Sequence, residues 1–122
     1  MINPSLVDGQ IIGGVVLGVS NTLYEHVVFS DEGQPATTSY MDYLLPTAAE
    51  SPTIDIVHQE SPSPLNPMGV KGAGEGGTIP ATPALVAAIE NALEPFGVIL
   101  DRYPVKPEDL VSAVKQAAAR PG

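Results

Sequence analysis

A chain of 122 residues, 43% of them hydrophobic, is long enough for one modest core and too apolar for a disordered tail. Its net charge of −9 is unevenly distributed, because all five Lys and Arg residues follow position 70, and this argues against nucleic acid or an anionic membrane as a partner. The absence of cysteine excludes disulfides, thiolate catalysis and Cys-ligated iron–sulfur clusters within the chain, and fits a cytoplasmic protein.

The first predicted element is a helix over residues 11–25, which follows an irregular lead-in. Apolar residues recur in it at intervals of one helical turn: Ile11, Val15, Val19 and Leu23. Three glycines interrupt this pattern and indicate that something packs unusually close, either a sheet or a ligand. The segment 11–19 is too short and too rich in glycine to span a bilayer, so we expect no membrane partner.

Three segments have the character of β-structure. Residues 26–30 and 37–43 flank a turn at 31–34 and predict a hairpin. Residues 53–58 alternate apolar and polar side chains, as a half-buried strand does. Residues 98–102 predict one further short strand.

Two more helices complete the predicted elements. Thr82 and Pro83 form a helix start, followed by one apolar face and by Gly97 as the stop; the apolar face consists of Leu85, Ile89, Ala92 and Leu93. Pro107 opens the last helix, and Pro121-Gly122 is expected to end it. The elements together predict an α+β fold, a single sheet with a hairpin covered by about three helices, in one domain over residues 1–122.

The segment 69–78 (GVKGAGEGGT) is the main candidate site, because five of its ten residues are glycine and Glu75 stands between two of them. Gly72, Gly74 and Gly77 match a dinucleotide-binding pattern, but a proline-rich segment precedes them instead of a strand. Lys71 precedes the inner glycines, so the segment is not a P-loop. Two interpretations remain open: a plain surface loop, or a loop that presents a catalytic carboxylate to a cofactor held by backbone amides.

The glycine-rich run resembles the Glu-bearing loop near the C-terminus of the molybdenum-cofactor subunit in the xanthine dehydrogenase, aldehyde oxidase and carbon monoxide dehydrogenase family. Other segments resemble the same family in the same order: GQIIGG at 9–14, YE at 24–25, MDYLLPT at 41–47 and SPLNP at 63–67. The resemblance covers nearly the whole chain.

The resemblance implies a role for each matching residue. Glu75 corresponds to the general base that takes a proton from a water-derived nucleophile during hydroxylation of an electron-poor carbon. Gln10 corresponds to a glutamine that hydrogen-bonds the pterin of the molybdenum cofactor. A further group of residues is expected to lie along this molybdopterin: Lys71, Gly72, Ala73 and Gly74.

The resemblance also implies that no protein side chain ligates the metal, because the pterin dithiolene holds it. His26 and His58 are accordingly expected to be structural. Asp42 and Tyr43 are expected to fix the hairpin against the core.

The chain is similar to a C-terminal portion of a much longer subunit. The implied partners are therefore the remainder of the molybdenum subunit and, in the full enzyme, iron–sulfur and flavin subunits. We expect the chain alone to lack the cofactor and to be inactive, and its uncovered surface to favour self-association. The alternative is a free-standing structural or protein-interaction module without catalytic activity. The substrate could be an aldehyde, an N-heterocycle or carbon monoxide.

Overall fold

Helix α1 spans Pro4–Leu23 and begins earlier than the apolar spacing predicts. The computed structural model describes residues 1–119, so the predicted stop at Pro121-Gly122 lies outside the described residues. Asn3 caps α1, since its side-chain oxygen accepts the N–H of Leu6 at 3.1 Å, and Pro4 occupies the first helical turn. The expectation of an irregular lead-in was therefore wrong, because Asn3-Pro4 is a helix start.

Helix α2 spans Thr78–Ala92, one turn longer at its start than predicted. The N–H groups of Thr78 and Ile79 both donate to the carbonyl of Glu75 at 3.1 Å, and this closes the first turn ahead of the predicted Thr82-Pro83 start. A short 3₁₀ turn at Glu94–Phe96 follows, and Gly97 ends it with a positive φ of 61°.

Helix α3 spans Pro107–Ala118 and confirms the predicted start at Pro107. Glu108 and Asp109 lie in its first turn, where the helix dipole favours anions. The carboxylate of Asp109 also accepts the N–H of Lys106 at 3.4 Å, which satisfies a donor that the helix leaves unpaired.

Helices α1 and α2 pack directly against each other through small residues. A Cβ added at Gly18 would overlap the Cβ of Ala81, and one added at Gly14 would lie 2.9 Å from the nitrogen of Thr78. Two of the three glycines that predicted close packing against a sheet or a ligand, Gly14 and Gly18, thus allow a second helix to approach, whereas Gly13 has no close neighbour.

Thr22 lies at the far end of this helix pair and is fully buried, with 0% of its surface exposed. Its hydroxyl donates to the carbonyl of Gly18 at 2.6 Å and also lies 3.1 Å from the hydroxyl of Thr82 on α2. The Thr22 carbonyl accepts the N–H of Val105 at 2.6 Å. This one residue therefore joins α1, α2 and the segment that leads into α3.

The predicted sheet is absent from the described part of the chain, and the α+β assignment was wrong. The hairpin is reduced to a turn with one isolated bridge between Phe29 and Pro35. Pairing does not continue, because the N–H of Val28 donates to the side chain of Thr37 at 2.9 Å. Residues 39–43 form a turn instead of an extended strand, because backbone N–H groups of this segment donate to the hydroxyl and the carbonyl of Ser39.

The other two predicted strands also lack partners within residues 1–119. In segment 53–58 the side chains of Ile54 and Ile56 are half-buried, as the alternation predicted, but no strand lies beside them. In segment 98–102 the N–H of Leu100 donates to the carboxylate of Glu90 at 2.7 Å. Apolar alternation thus identified the half-buried side chains of segment 53–58 correctly, but alternation does not supply the neighbouring backbone that a strand requires.

By length and composition, α1 is the one helix among residues 1–119 that could cross a membrane, and its mean hydropathy is 1.3. A core helix of a soluble protein passes the same test. Helix α1 packs along α2 through Gly14 and Gly18, and 28% of its apolar window is buried.

The Glu25 carboxylate holds the segment 39–43 on the end of α1. It accepts hydrogen bonds from the hydroxyls of Ser20 and Tyr43. Asp42 accepts the hydroxyl of Ser39 at 3.0 Å and stays within its own turn. Tyr43 therefore anchors a loop to the helix, whereas it was expected to anchor a hairpin.

The bond to Glu25 raises the pKa of the Tyr43 phenol above its ordinary value, because ionised Tyr43 would lose the bond and face a negative charge. The bond between Tyr43 and Glu25 therefore stabilises the folded state fully below the ordinary tyrosine pKa of about 10. This stabilisation is lost as the pH rises through the raised pKa of Tyr43 in the folded state. We expect one of the four tyrosines to ionise late when absorbance near 295 nm is followed against pH. Tyr43→Phe should remove that late phase and Tyr40→Phe should retain it; a late phase that survives in Tyr43→Phe would contradict the assignment.

Candidate functional site

The glycine-rich segment reaches the start of α2 as an exposed loop, and Glu75 is at its last turn. The Glu75 carboxylate is exposed and makes no hydrogen bond or ion pair to another described residue. Its backbone is held firmly, because its carbonyl accepts the first two N–H groups of α2. The side chain is therefore free to act on a ligand while its attachment point is fixed.

Gln10 meets this loop directly. Its side-chain amide nitrogen donates to the carbonyl of Gly74 at 3.1 Å, across 64 positions of sequence. The next residue, Ile11, presents its carbonyl to Gly77 so closely that a Cβ at Gly77 would overlap it. The structure thus brings two of the predicted site residues, Gln10 and Gly74, into contact beside Glu75.

A cleft of about 360 Å³ lies beside the same loop. Three of the predicted cofactor-binding residues line it: Lys71, Gly72 and Ala73. The start of α1 and residues 58–62 form its other walls. Gln10, Gly74 and Glu75 do not line this cleft, so the predicted site residues divide between the cleft and the adjoining turn.

The loop carries a run of unpaired backbone donors. None of the N–H groups of residues 71–75 donates to an acceptor among residues 1–119, whereas the neighbouring Val70 N–H is held by the side chain of Asn66 at 3.0 Å. A Cβ at Gly72 or Gly74 would meet nothing within 4 Å. Successive free N–H groups suit a ligand that carries acceptor oxygens or nitrogens, and the absence of neighbours beside Gly72 and Gly74 leaves room for one.

The histidines do not build a metal site in the described residues, where no group of three or more potential metal-binding side chains occurs. His58 pairs with Asp8 of α1, with Nε2 to Oδ1 at 2.6 Å, and so fastens segment 53–58 to the helix. His26 is exposed.

Two residues that support the site were missed by sequence reasoning. Gly77 was considered only as one of the loop glycines and as part of a dinucleotide pattern, and Thr22 was not assigned a role within the fold. Thr82 was predicted to cap α2, but it lies inside that helix and faces Thr22. A signal was present, because Thr22 continues the four-residue spacing of Gly14 and Gly18 along one face of α1.

Comparisons with known proteins test the resemblance to molybdenum-cofactor subunits that was noted in the sequence. Residues 1–52 match the family described as molybdopterin cofactor-binding domain. The chain is 45% identical over 94% of its length to the nicotine 6-hydroxylase large subunit of Paenarthrobacter nicotinovorans, of which it covers 14%. It is 36% identical over 80% of its length to the carbon monoxide dehydrogenase large chain of Hydrogenophaga pseudoflava, of which it covers 12%.

A solved structure agrees with these relatives. The crystal structure of quinoline 2-oxidoreductase from Pseudomonas putida 86 superposes with a TM-score of 0.92 and 45% identity, over 99% of this chain and 15% of that one. The chain thus spans about one seventh of the proteins that it matches. The predicted resemblance is confirmed.

Proposed function

We propose that this chain, a relative of one part of the molybdenum-cofactor subunits of molybdenum hydroxylases, supplies the general base and one wall of the cofactor site in such an enzyme. The observation that carries the proposal is the contact between Gln10 and Gly74 beside Glu75. It unites, across a long stretch of sequence, two residues that the resemblance assigns to the cofactor site.

The residues present fit the cofactor. The free N–H groups of residues 71–75 offer donors to the acceptor atoms of a pterin, and Lys71 adds a positive charge beside the cleft. Gln10 keeps one amide N–H and its carbonyl oxygen for a ligand after bonding Gly74. When bound, the molybdenum cofactor supplies the oxidising centre for hydroxylation with oxygen from water.

Glu75 is the proton acceptor in this proposal. Its carboxylate is exposed and has no partner among residues 1–119, so it is free to take a proton from an attacking water-derived oxygen. Glycine on either side leaves room for it to approach a bulky cofactor. Its carbonyl remains fixed at the start of α2 throughout.

We propose an N-heteroaromatic ring as the substrate of the complete enzyme. The two relatives that share 45% identity are named for nicotine and quinoline, whereas the carbon monoxide enzyme shares 36%. Ring carbons next to such a nitrogen are electron-poor, which is the property that a nucleophilic oxygen requires.

The partner in this proposal is the remainder of a molybdenum subunit, within an assembly that also contains iron–sulfur and flavin subunits, in the cytoplasm. Relatives carry the names large subunit and large chain, which are names of parts of larger assemblies. Large apolar side chains of this chain stand open to solvent, including Met41, Val57 and Leu65, which are 89%, 93% and 92% exposed. Surfaces of this kind are normally covered by other protein.

Complementation tests the proposal. The segment aligned with this chain is deleted from the large subunit of quinoline 2-oxidoreductase, and the chain is co-expressed with the remaining subunits. We expect the assembly to regain molybdenum and quinoline hydroxylation, and the deleted subunit without the chain to have neither. Failure to restore both molybdenum and activity would favour the free-standing module.

A further inference from the structure

The two peptide groups that flank Glu75 are held by two different helices. The carbonyl before it, that of Gly74, accepts the side-chain amide of Gln10 on α1 at 3.1 Å. The carbonyl after it, its own, accepts the N–H groups of Thr78 and Ile79 on α2 at 3.1 Å. Fixing both peptide groups limits the two backbone rotations at Glu75, and so fixes the direction in which its side chain leaves the chain.

The position of Gln10 relative to the loop is set by the contact between the helices. Gly77 packs on the carbonyl of Ile11, one residue from Gln10, and a Cβ at Gly14 would lie 2.9 Å from the nitrogen of Thr78. So close an approach of the two backbones leaves α1 little room to shift against α2. The Gln10 side chain is therefore held within reach of Gly74.

The chemistry of the amide allows Gln10 to serve two neighbours at once. One of its N–H groups is used by Gly74, and its second N–H and its oxygen remain available. A carboxylate of the same shape would place acceptors against the Gly74 carbonyl and would lose the bond. A side-chain donor is thus required by the loop contact alone, whether or not a ligand is bound.

We infer that Gln10 is a positioning residue for Glu75: it holds the Gly74 carbonyl, so that the base is fixed between α1 and α2. The assignment of Glu75 as a base rests on the proposed function, whereas the positioning contact is a property of the chain itself. A ligand that hydrogen-bonds the remaining N–H or the oxygen of the Gln10 amide would therefore contact the same side chain that holds the loop carrying Glu75.

The test uses the full chain labelled with ¹³C and ¹⁵N, with no cofactor added. We expect Gln10→Glu near neutral pH to shift the Gly74 carbonyl carbon and the Glu75 amide nitrogen, and to lower the order parameter of the Glu75 amide from about 0.85 to below about 0.6. Gln59→Glu is the control, because Gln59 lines the cleft beside the glycine-rich loop, which Gln10 does not, and the change adds the same charge near that loop. Resonances of α3 report that the fold is intact.

In Gln10→Glu, protonation of the new carboxylate at low pH should restore the bond to the Gly74 carbonyl. A merely structural role of Gln10 would not give this recovery. As the pH falls through the ordinary glutamate pKa of about 4.3, the substituted carboxyl regains an O–H donor, and the Gly74 signal should move back towards its original position. Gln10→Ala, which has no donor at any pH, should show no recovery. If Gln10→Glu or Gln10→Ala leaves Gly74 and Glu75 unchanged, the inference is wrong.

A kinetic measurement connects the contact to catalysis. In the complemented quinoline enzyme, Gln10→Glu should lower kcat by about 10-fold to 100-fold, because a displaced base is aligned less often, and should change KM little. Loss of the Gly74 contact with no loss of kcat would overturn the positioning role while leaving the proposed function standing. Failure of complementation by the unmodified chain would instead count against the proposed function alone.

Discussion

Glu75→Gln is expected to lower kcat of the complemented enzyme by about two to four orders of magnitude, the range in which positioned acid–base groups contribute. The amide has nearly the same shape and can remain in the loop, but it cannot accept a proton at neutral pH. Because the Glu75 side chain is exposed and unpartnered among residues 1–119, the change should leave the fold of the chain intact. Steady-state rates with quinoline, corrected for molybdenum content, measure the effect.

Glu94→Gln is the matched control for that experiment. It makes the same chemical change at an exposed glutamate in the 3₁₀ turn after α2, away from the glycine-rich loop. Its activity and metal content should equal those of the unmodified chain. Full activity in Glu75→Gln, with normal molybdenum content, would refute the general-base role.

Gly18→Ala should lower the free energy of unfolding by about 1–3 kcal/mol, as overpacking of a tight contact does. The added methyl group would overlap the Cβ of Ala81, which is itself part of a helix and cannot move aside alone. The helices must separate or slide to admit it. Urea denaturation of the full chain, followed by circular dichroism, measures the change.

Two matched variants isolate the contact. Gly13→Ala lies in the same helix, where an added Cβ would meet nothing within 4 Å, and should stabilise α1 by up to about 1 kcal/mol. Combining Gly18→Ala with Ala81→Gly moves the methyl group from one helix to the other, and should recover stability relative to Gly18→Ala although it adds an unfavourable helix glycine. Equal stability of Gly18→Ala and Gly13→Ala would show that the helices do not approach as closely as described.

Local signals in the sequence predicted the existence of the helices more accurately than the residues at which they begin. Pro107 with two acidic residues after it identified the start of α3 correctly, because the first turn of a helix has its own chemistry. The same chemistry at Asn3-Pro4 was interpreted as irregular chain, so the first 7 of the 20 residues of α1 were missed. The start of α2 at Thr78 depends on the Glu75 carbonyl, which no propensity scale identifies.

The strands failed for a different reason. Burial of Ile54 and Ile56 follows from alternation, which is a local property. A ladder requires a second backbone, and side chains supply the bonds instead at Val28 and at Leu100. These competing bonds depend on the tertiary arrangement, so the pattern of the strand alone could not exclude them.

The candidate site was predictable residue by residue through resemblance, but its internal geometry was not. Gln10 and Gly74 were both expected to face a cofactor, and the bond between them was not anticipated. The glycines of α1 predicted a close neighbour without identifying it, and the neighbour is α2. Local sequence thus indicated where a close contact occurs, and the fold determined which element makes that contact.

The long connector between α1 and α2 tolerates insertions, whereas the two segments that meet at the site do not. The two ends of the site, Gln10 and Gly74, are separated by 64 positions, and residues 24–77 contribute no helix or strand. Because doubling a flexible loop adds only about 0.6 kcal/mol of closure entropy, insertions in the exposed turn at residues 31–34 are energetically cheap. A single residue inserted between Gln10 and Gly14, or between Gly74 and Thr78, would rotate one face of the helix pair away from the other. Evolution can therefore lengthen this chain at the 31–34 turn, while the two short segments that meet around Glu75 are held to fixed length.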